Sequence, residues 1–346
     1  MRRRRDISRI TNKLQMEGLK NKDKCKNSSC TNNAIETIEA FGSQESEYKG
    51  LIDSDPVNAI TLNKEFANQP LKEYVIKGSY NSAITGNYVS NDMVKYVLSR
   101  GCRYIDLEVL FIDNKPFVSY TTDKNYEILN TDNKILLDNV LSAIVSTAFT
   151  QPTPNYGDPL FIHFRLKSNN NAIYQSVAKS IDSSLRGKLY NKKVNDKTKL
   201  SDVMGQVVVV MDKSINRKYE EESKCESSDN DCYKLPSYIN LDSSSDLLYQ
   251  NTYSDVLNEN YNIVNVTDKC DICTDVKRNR MVIPDKIDNT QNPNTYELIG
   301  KHGCQIVMCR YYSKDNNLYK YEKLFNDNKG GVVPLAFVLD YIKKNE

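Results

Sequence analysis

From Tyr74 onward the sequence alternates short runs rich in β-branched and aromatic residues with helix-length stretches whose apolar residues recur on one side. That alternation constrains the fold most, because strands separated by a helix-length crossover pair in parallel and need cover on both faces. The clearest strand runs are Tyr104–Phe111, Pro116–Tyr120, Pro159–Leu166, Val207–Met211 and Gln305–Tyr312, with Met281–Ile283 as a shorter one. Helical spacing predicts Asn91–Arg100, with Met93, Val94, Val97 and Leu98 on one face, and then Asp138–Phe149 and Ala172–Leu185. Asn91 is placed to cap the first of these, and Gly101 to end it in the left-handed conformation. A chain of 346 residues suits one large α/β barrel.

Residues 1–65 have a different texture. They are polar, with Arg2 to Arg5 in a row, then Lys20, Lys22, Lys24 and Lys26, and weak helical periodicity around Ala34 to Phe41. Such an arm is either a solvated tail or a tether to anionic lipid headgroups, nucleic acid or the protein partners of an assembly. The formal charge of the whole chain is only +2, so the body carries no field that demands nucleic acid. No apolar run approaches the ~20 residues of a transmembrane segment, and the basic start lacks the apolar stretch of a secretory signal. These features lead to the expectation of an intracellular protein whose nine cysteines are mostly reduced. Cys270-Asp-Ile-Cys273 invites a zinc or redox reading, but a zinc site wants four ligands and no second CxxC accompanies it, so ordinary loop cysteines are expected. The Ser-rich acidic stretch Glu220 to Asp231 reads as an insertion between two half-barrels.

Six segments then carry a resemblance. Tyr96–Val109 reads YVLSRGCRYIDLEV, Gly78–Ile84 reads GSYNSAI, and Lys115–Thr121 reads KPFVSYT. Asp158–Arg165 reads DPLFIHFR, Gly303–Met308 reads GCQIVM, and Leu324–Val332 reads LFNDNKGGV. Together and in this order they resemble the X and Y half-domains of phosphoinositide-specific phospholipase C. The resemblance implies a distorted TIM (β/α)8 barrel, with an X-like half at 66–213, an acidic insertion or linker at 214–260 and a Y-like half at 261–346. It spans roughly residues 70 to 346 and lacks the lipid-binding and EF-hand-like modules of the animal enzymes.

As the resemblance implies, the family cleaves phosphatidylinositol phosphates with two histidines and a calcium ion held by an Asn and acidic side chains. Tyr80 and Tyr120 stand where the histidines belong, and Arg165 stands at a glutamate position. Asn81 is kept, and Asp106 and Glu108 keep an acidic pair two residues apart, hence on one side of a strand. Lys213 matches a phosphate-contacting lysine, and Arg280 lies one residue from a phosphate-binding arginine. A phenol with a pKa near ~10 does not shuttle protons at neutral pH as imidazole does. The chain's two histidines, His163 and His302, fall elsewhere, His163 reading as a core histidine. Arg165 beside Asp106 and Glu108 leads to the expectation of a salt-bridged cluster, with calcium lost and no other cofactor.

Three functions follow from that pattern. The first is a non-catalytic barrel with a structural or interaction role, a pseudoenzyme; the residue bias resembles an AT-rich genome, which fits a large DNA virus and a virion or minor capsid component. The second is a phosphoinositide or inositol-phosphate binding module that uses Arg165 and Lys213. The third is a divergent phosphatidylinositol phosphodiesterase.

Overall fold

The structure is a computed structural model that describes residues 43–53, 55–223, 232–260, 262–285 and 291–345. The basic run Arg2 to Arg5, the lysines 20 to 26, the periodic stretch Ala34 to Phe41 and residues 224–231 of the acidic insertion lie outside the described residues. The chain divides into two compact units, Met1–Gly50 and Leu51–Glu346. Helix Gln44–Leu51 has no buried residue. The second unit begins before the expected end of the N-terminal extension at residue 65. Ile60 bridges Gly330, and the Leu62 N–H donates to Asp158 Oδ1 at 2.8 Å.

Eight parallel strands follow one another around a nearly closed barrel. They are β1 (Tyr74–Ser79), β2 (Tyr104–Ile112), then β5 (Leu160–Lys167), β6 (Val207–Asp212), β7 (Leu241–Ser243), β8 (Tyr249–Thr252), β9 (Arg280–Ile283) and β10 (Ile306–Cys309). A hairpin interrupts the series: β3 (Lys115–Val118) pairs antiparallel with β2, and β4 (Ile135–Leu136) with β3. β11 (Val332–Pro334) runs antiparallel to β1. Among the described residues β7 and β8 end the ladder on either side of an open seam.

Two expectations are corrected here. Segment 214–260, read as an insertion or linker, carries β7 and β8; strands of 3 and 4 residues are too short to show a period. Lys115–Val118 is no barrel strand, because β2 runs straight into it through Asp113 and Asn114, both with positive φ, and so must pair antiparallel.

Alternation sorts the side chains between the barrel's two faces. Tyr74, Ile76, Tyr80, Tyr104, Phe161, Val208, Val210, Leu241, Met281, Ile306 and Met308 share the interior cluster. The intervening residues face the helices: Met93, Val94, Val97 and Leu98 of helix Asn91–Ser99 are buried, as are Val140, Leu141 and Ile144 of helix Leu137–Ala148. Ser90, not Asn91, caps the first helix, its side chain accepting from the Asp92 N–H. Gly101 ends it at φ +84°.

On the outer face of β1, Lys77 is 1% exposed and neutralised in place. Its Nζ donates to the Arg100 carbonyl at 2.7 Å and lies 3.4 Å from Glu322, whose carboxylate also takes Arg100 Nη2 at 2.7 Å. This group ties helix Asn316–Asp327 to β1 and to the end of helix Asn91–Ser99.

The Gly330–Gly331 pair explains itself by close approach. A Cβ on Gly331 would stand 2.1 Å from the Gly101 carbonyl oxygen and 2.3 Å from Asn155 Nδ2, groups on a buried backbone and in a hydrogen-bond network that cannot step aside. Gly331→Ala should therefore destabilise the barrel by about 1–3 kcal/mol. Urea unfolding reads this directly, and an unchanged midpoint would refute the close approach.

Candidate functional site

The polar cluster gathers toward the C-terminal ends of β1, β2 and β5. The parallel register places Asp106 opposite His163 and Glu108 opposite Arg165, so all four side chains project into the barrel from adjacent strands. Asn81 enters from the turn after β1 at φ +45°, a left-handed conformation that Asn tolerates better than most residues.

Arg165 is the hub. Its Nε donates to Asp106 Oδ1 at 2.9 Å, its Nη2 to Asp106 Oδ2 at 2.9 Å and to Asn81 Oδ1, and its Nη1 to Glu108 Oε2 at 2.6 Å. The Tyr80 ring covers the guanidinium, with its centroid 4.5 Å from Cζ. Asp106 Oδ2 also accepts the Asn81 N–H at 2.9 Å, and Glu108 Oε1 accepts the Thr121 N–H at 2.7 Å and lies 3.0 Å from Lys167 Nζ. Every guanidinium nitrogen and both carboxylates are thus engaged.

Below the hub the network continues. His163 Nδ1 lies 2.8 Å from Asp106 Oδ1 and its Nε2 lies 2.9 Å from Ser243 Oγ. With Nδ1–H donating to the carboxylate, Nε2 accepts the Ser243 hydroxyl proton. The connectivity is that of a nucleophilic triad, but Ser243 and His163 are both 0% exposed, so no substrate atom reaches the serine.

The electrostatics follow from burial and pairing. Burial by itself pushes the Asp106 carboxyl up, but the Arg165 charge and the His163 bond outweigh it and hold the group well below the usual carboxylate range. Burial disfavours the Arg165 cation, yet the Asp106 and Glu108 carboxylates keep it charged. Burial drives the Tyr80 phenol well above its ordinary value, so it neither ionises nor exchanges protons near neutrality.

Of the remaining sequence candidates, Tyr120 stands beside the hub, next to Thr121, whereas Lys213 and Arg280 lie apart from it. Tyr120 follows the hairpin strand β3, its hydroxyl 3.5 Å from the Gly86 carbonyl oxygen. Lys213 follows Asp212 and faces outward: its Nζ lies 2.9 Å from Glu220 and 3.6 Å from Asp242. Arg280 departs from the phosphate-binding expectation, because its neighbour Met281 takes the interior position and strand alternation turns Arg280 outside, where Nη2 bonds Glu259 at 2.6 Å. Sequence reasoning missed Lys167, Thr121 and Ser243. Lys167 was accessible to it, standing two residues beyond Arg165 on one strand; the other two arrive from loops and a distant strand with no local signal.

The cysteines also differ from expectation. Cys270 and Cys273 form a disulfide, because the turn between them brings their Cα atoms to 5.1 Å, within bridging range. Cys232 is disulfide-bonded too. Cys102, Cys304 and Cys309 are free and buried, and burial pushes the Cys102 thiol up to about 11.

A parallel eight-stranded α/β barrel with its polar side chains at the strand C-terminal ends defines a TIM-barrel protein of the kind that builds sites there. Residues 67–213 match the family model of the phosphatidylinositol-specific phospholipase C X domain. The fold is similar to that of L. pealei PLC21, with a TM-score of 0.58 at 14% identity, covering 86% of this chain and 42% of that one. It is similar also to S. officinalis PLC21, with a TM-score of 0.55 at 15% identity, covering 89% of this chain and 41% of that one. The chain thus spans less than half the length of either structure. No curated protein matches the sequence.

Removing the hub cation should expose its worth. Arg165→Met leaves the buried Asp106 carboxylate without its cation and Glu108 with Lys167 alone, and should lose about 3–5 kcal/mol at pH 7. Since the native Asp106 pKa lies below its unfolded value near ~3.9, the stabilisation is fully present above that value and is lost as pH falls toward the native one. The difference between wild type and variant should therefore shrink between pH 7 and pH 3. Equal differences at both pH values, measured by chemical denaturation, would contradict the assignment.

Proposed function

We propose that this barrel is a non-catalytic member of the phospholipase C fold family, with its former reaction centre converted into an internal clamp and its role carried by interaction surfaces outside the mouth. The observation that carries this reading is the full engagement of Arg165 by Asn81, Asp106 and Glu108 under the Tyr80 ring. Calcium does not fit this arrangement. A calcium site collects six to eight oxygens at 2.3–2.6 Å, whereas the oxygens of Asp106, Glu108 and Asn81 point at a fixed guanidinium.

Proton transfer is equally unsupported. Tyr80 stays neutral across the physiological range, and His163 lies sealed within the barrel. The same engagement weighs against the ligand-binding reading, since Arg165 already donates to Asp106, Glu108 and Asn81. The reading gives the protein an interaction role through its outer surfaces or its N-terminal extension, inside a cell or in a virion.

A fluorogenic phosphatidylinositol assay tests the reading. Turnover should stay at the background level with and without calcium. Activity above background that disappears in Asp106→Asn, with that variant still folded by circular dichroism, would overturn it.

A further inference from the structure

The disulfide between Cys270 and Cys273 plays no part in the mouth cluster, and its setting differs from that of a structural staple. Cys270 and Cys273 are both half-buried, Cys270 packing in part against the interior cluster, while Asp268, Lys269 and Asp271 around them are exposed. The free thiols of Cys102, Cys304 and Cys309, by contrast, are completely enclosed.

The hairpin that presents the pair is held without it. Val266 and Thr274 form an antiparallel bridge. The Thr267 N–H donates to the Cys273 carbonyl at 2.9 Å, and the Asp275 N–H to the Asn265 carbonyl at 3.0 Å. Thr274 anchors the hairpin to the barrel unit, donating from its N–H and its hydroxyl to the buried Glu73 carboxylate at 2.9 and 2.7 Å. Ile272, between the two cysteines, is 4% exposed and belongs to the interior cluster. A bridge across a sequence separation of 3 closes a very short loop, where a crosslink restrains the unfolded chain little. Such a bond can open while the hairpin stays in place.

We propose that Cys270 and Cys273 form a reversible redox site whose exchange partner is a small or protein-borne dithiol. In the reduction, one thiolate of the dithiol attacks a sulfur of the pair, the protein S–S bond breaks and a mixed disulfide forms. The second thiolate of the dithiol then displaces the protein sulfur and closes the reagent's own disulfide. Two electrons pass to the protein, and two protons end on the Cys270 and Cys273 sulfurs. Oxidised dithiol drives the same steps backward. The site sits as a dithiol in a reducing compartment and as a disulfide in an oxidising one.

The test uses the full chain under native conditions, with dithiothreitol as the probe, maleimide labelling and peptide mass mapping. Treatment with excess reduced dithiothreitol should give labels on Cys270 and Cys273 while Cys102, Cys304 and Cys309 stay unlabelled, with the circular dichroism spectrum unchanged. Oxidised dithiothreitol should then abolish that labelling. The Cys270→Ser/Cys273→Ser double variant should fold and lose these labels, which separates the site from the bond at Cys232. A pair that opens only in denaturant, or whose reduction unfolds the barrel, is a structural staple, and either outcome overturns the proposal.

Discussion

One guanidinium inside the barrel mouth governs much of what this structure can do. Asp106 and Glu108 are brought together by the β2 alternation and are buried at 0% and 1% exposure. Two carboxylates in that position cannot both stay ionised without a compensating cation. Arg165 supplies the charge from the next strand, and its planar fork matches the carboxylate oxygens better than a lysine ammonium would. Once it is there, Tyr80 is held over it, Asn81 is drawn into its left-handed turn, and Glu108 has one oxygen left for the hairpin loop at Thr121. The mouth's geometry follows from this single charge balance.

The wall repeats the solution on its other face. Lys77 stands among helices, and Glu322 and Arg100 complete a second buried ion group that binds helix Asn316–Asp327 against β1. Such groups contribute less to net stability than their Coulomb attraction suggests, because desolvation offsets it, but removal of one member leaves a charge stranded. Their effect is to fix which helix packs where.

Much of this was legible along the chain. The strand and helix runs lie within a few residues of their observed bounds, helix Ala172–Leu185 matching throughout, because amphipathic periods over ten or more residues are strong signals. The acidic pair Asp106 and Glu108 could be read from its spacing on one strand. β7 and β8 could not, being too short for a period to register, and the role of Ser243 went with them. Arg280 shows the limit at single-residue scale: a shift of one position on a strand exchanges the barrel interior for its exterior.

The sequence by itself determined the parallel α/β architecture, the match of segment 67–213 to the X-domain model and the side of β2 that carries both carboxylates, since each rests on local period or motif. Only the tertiary structure decided which groups meet. Arg165 joins Asp106 across 59 positions and Asn81 across 84, and His163 joins Ser243 across 80. Those meetings depend on strand register around the barrel, which no local stretch encodes. Even the nearest pair obeyed the same logic: Cys270 and Cys273 were plain neighbours in sequence until the turn between them set their sulfur atoms within bonding distance.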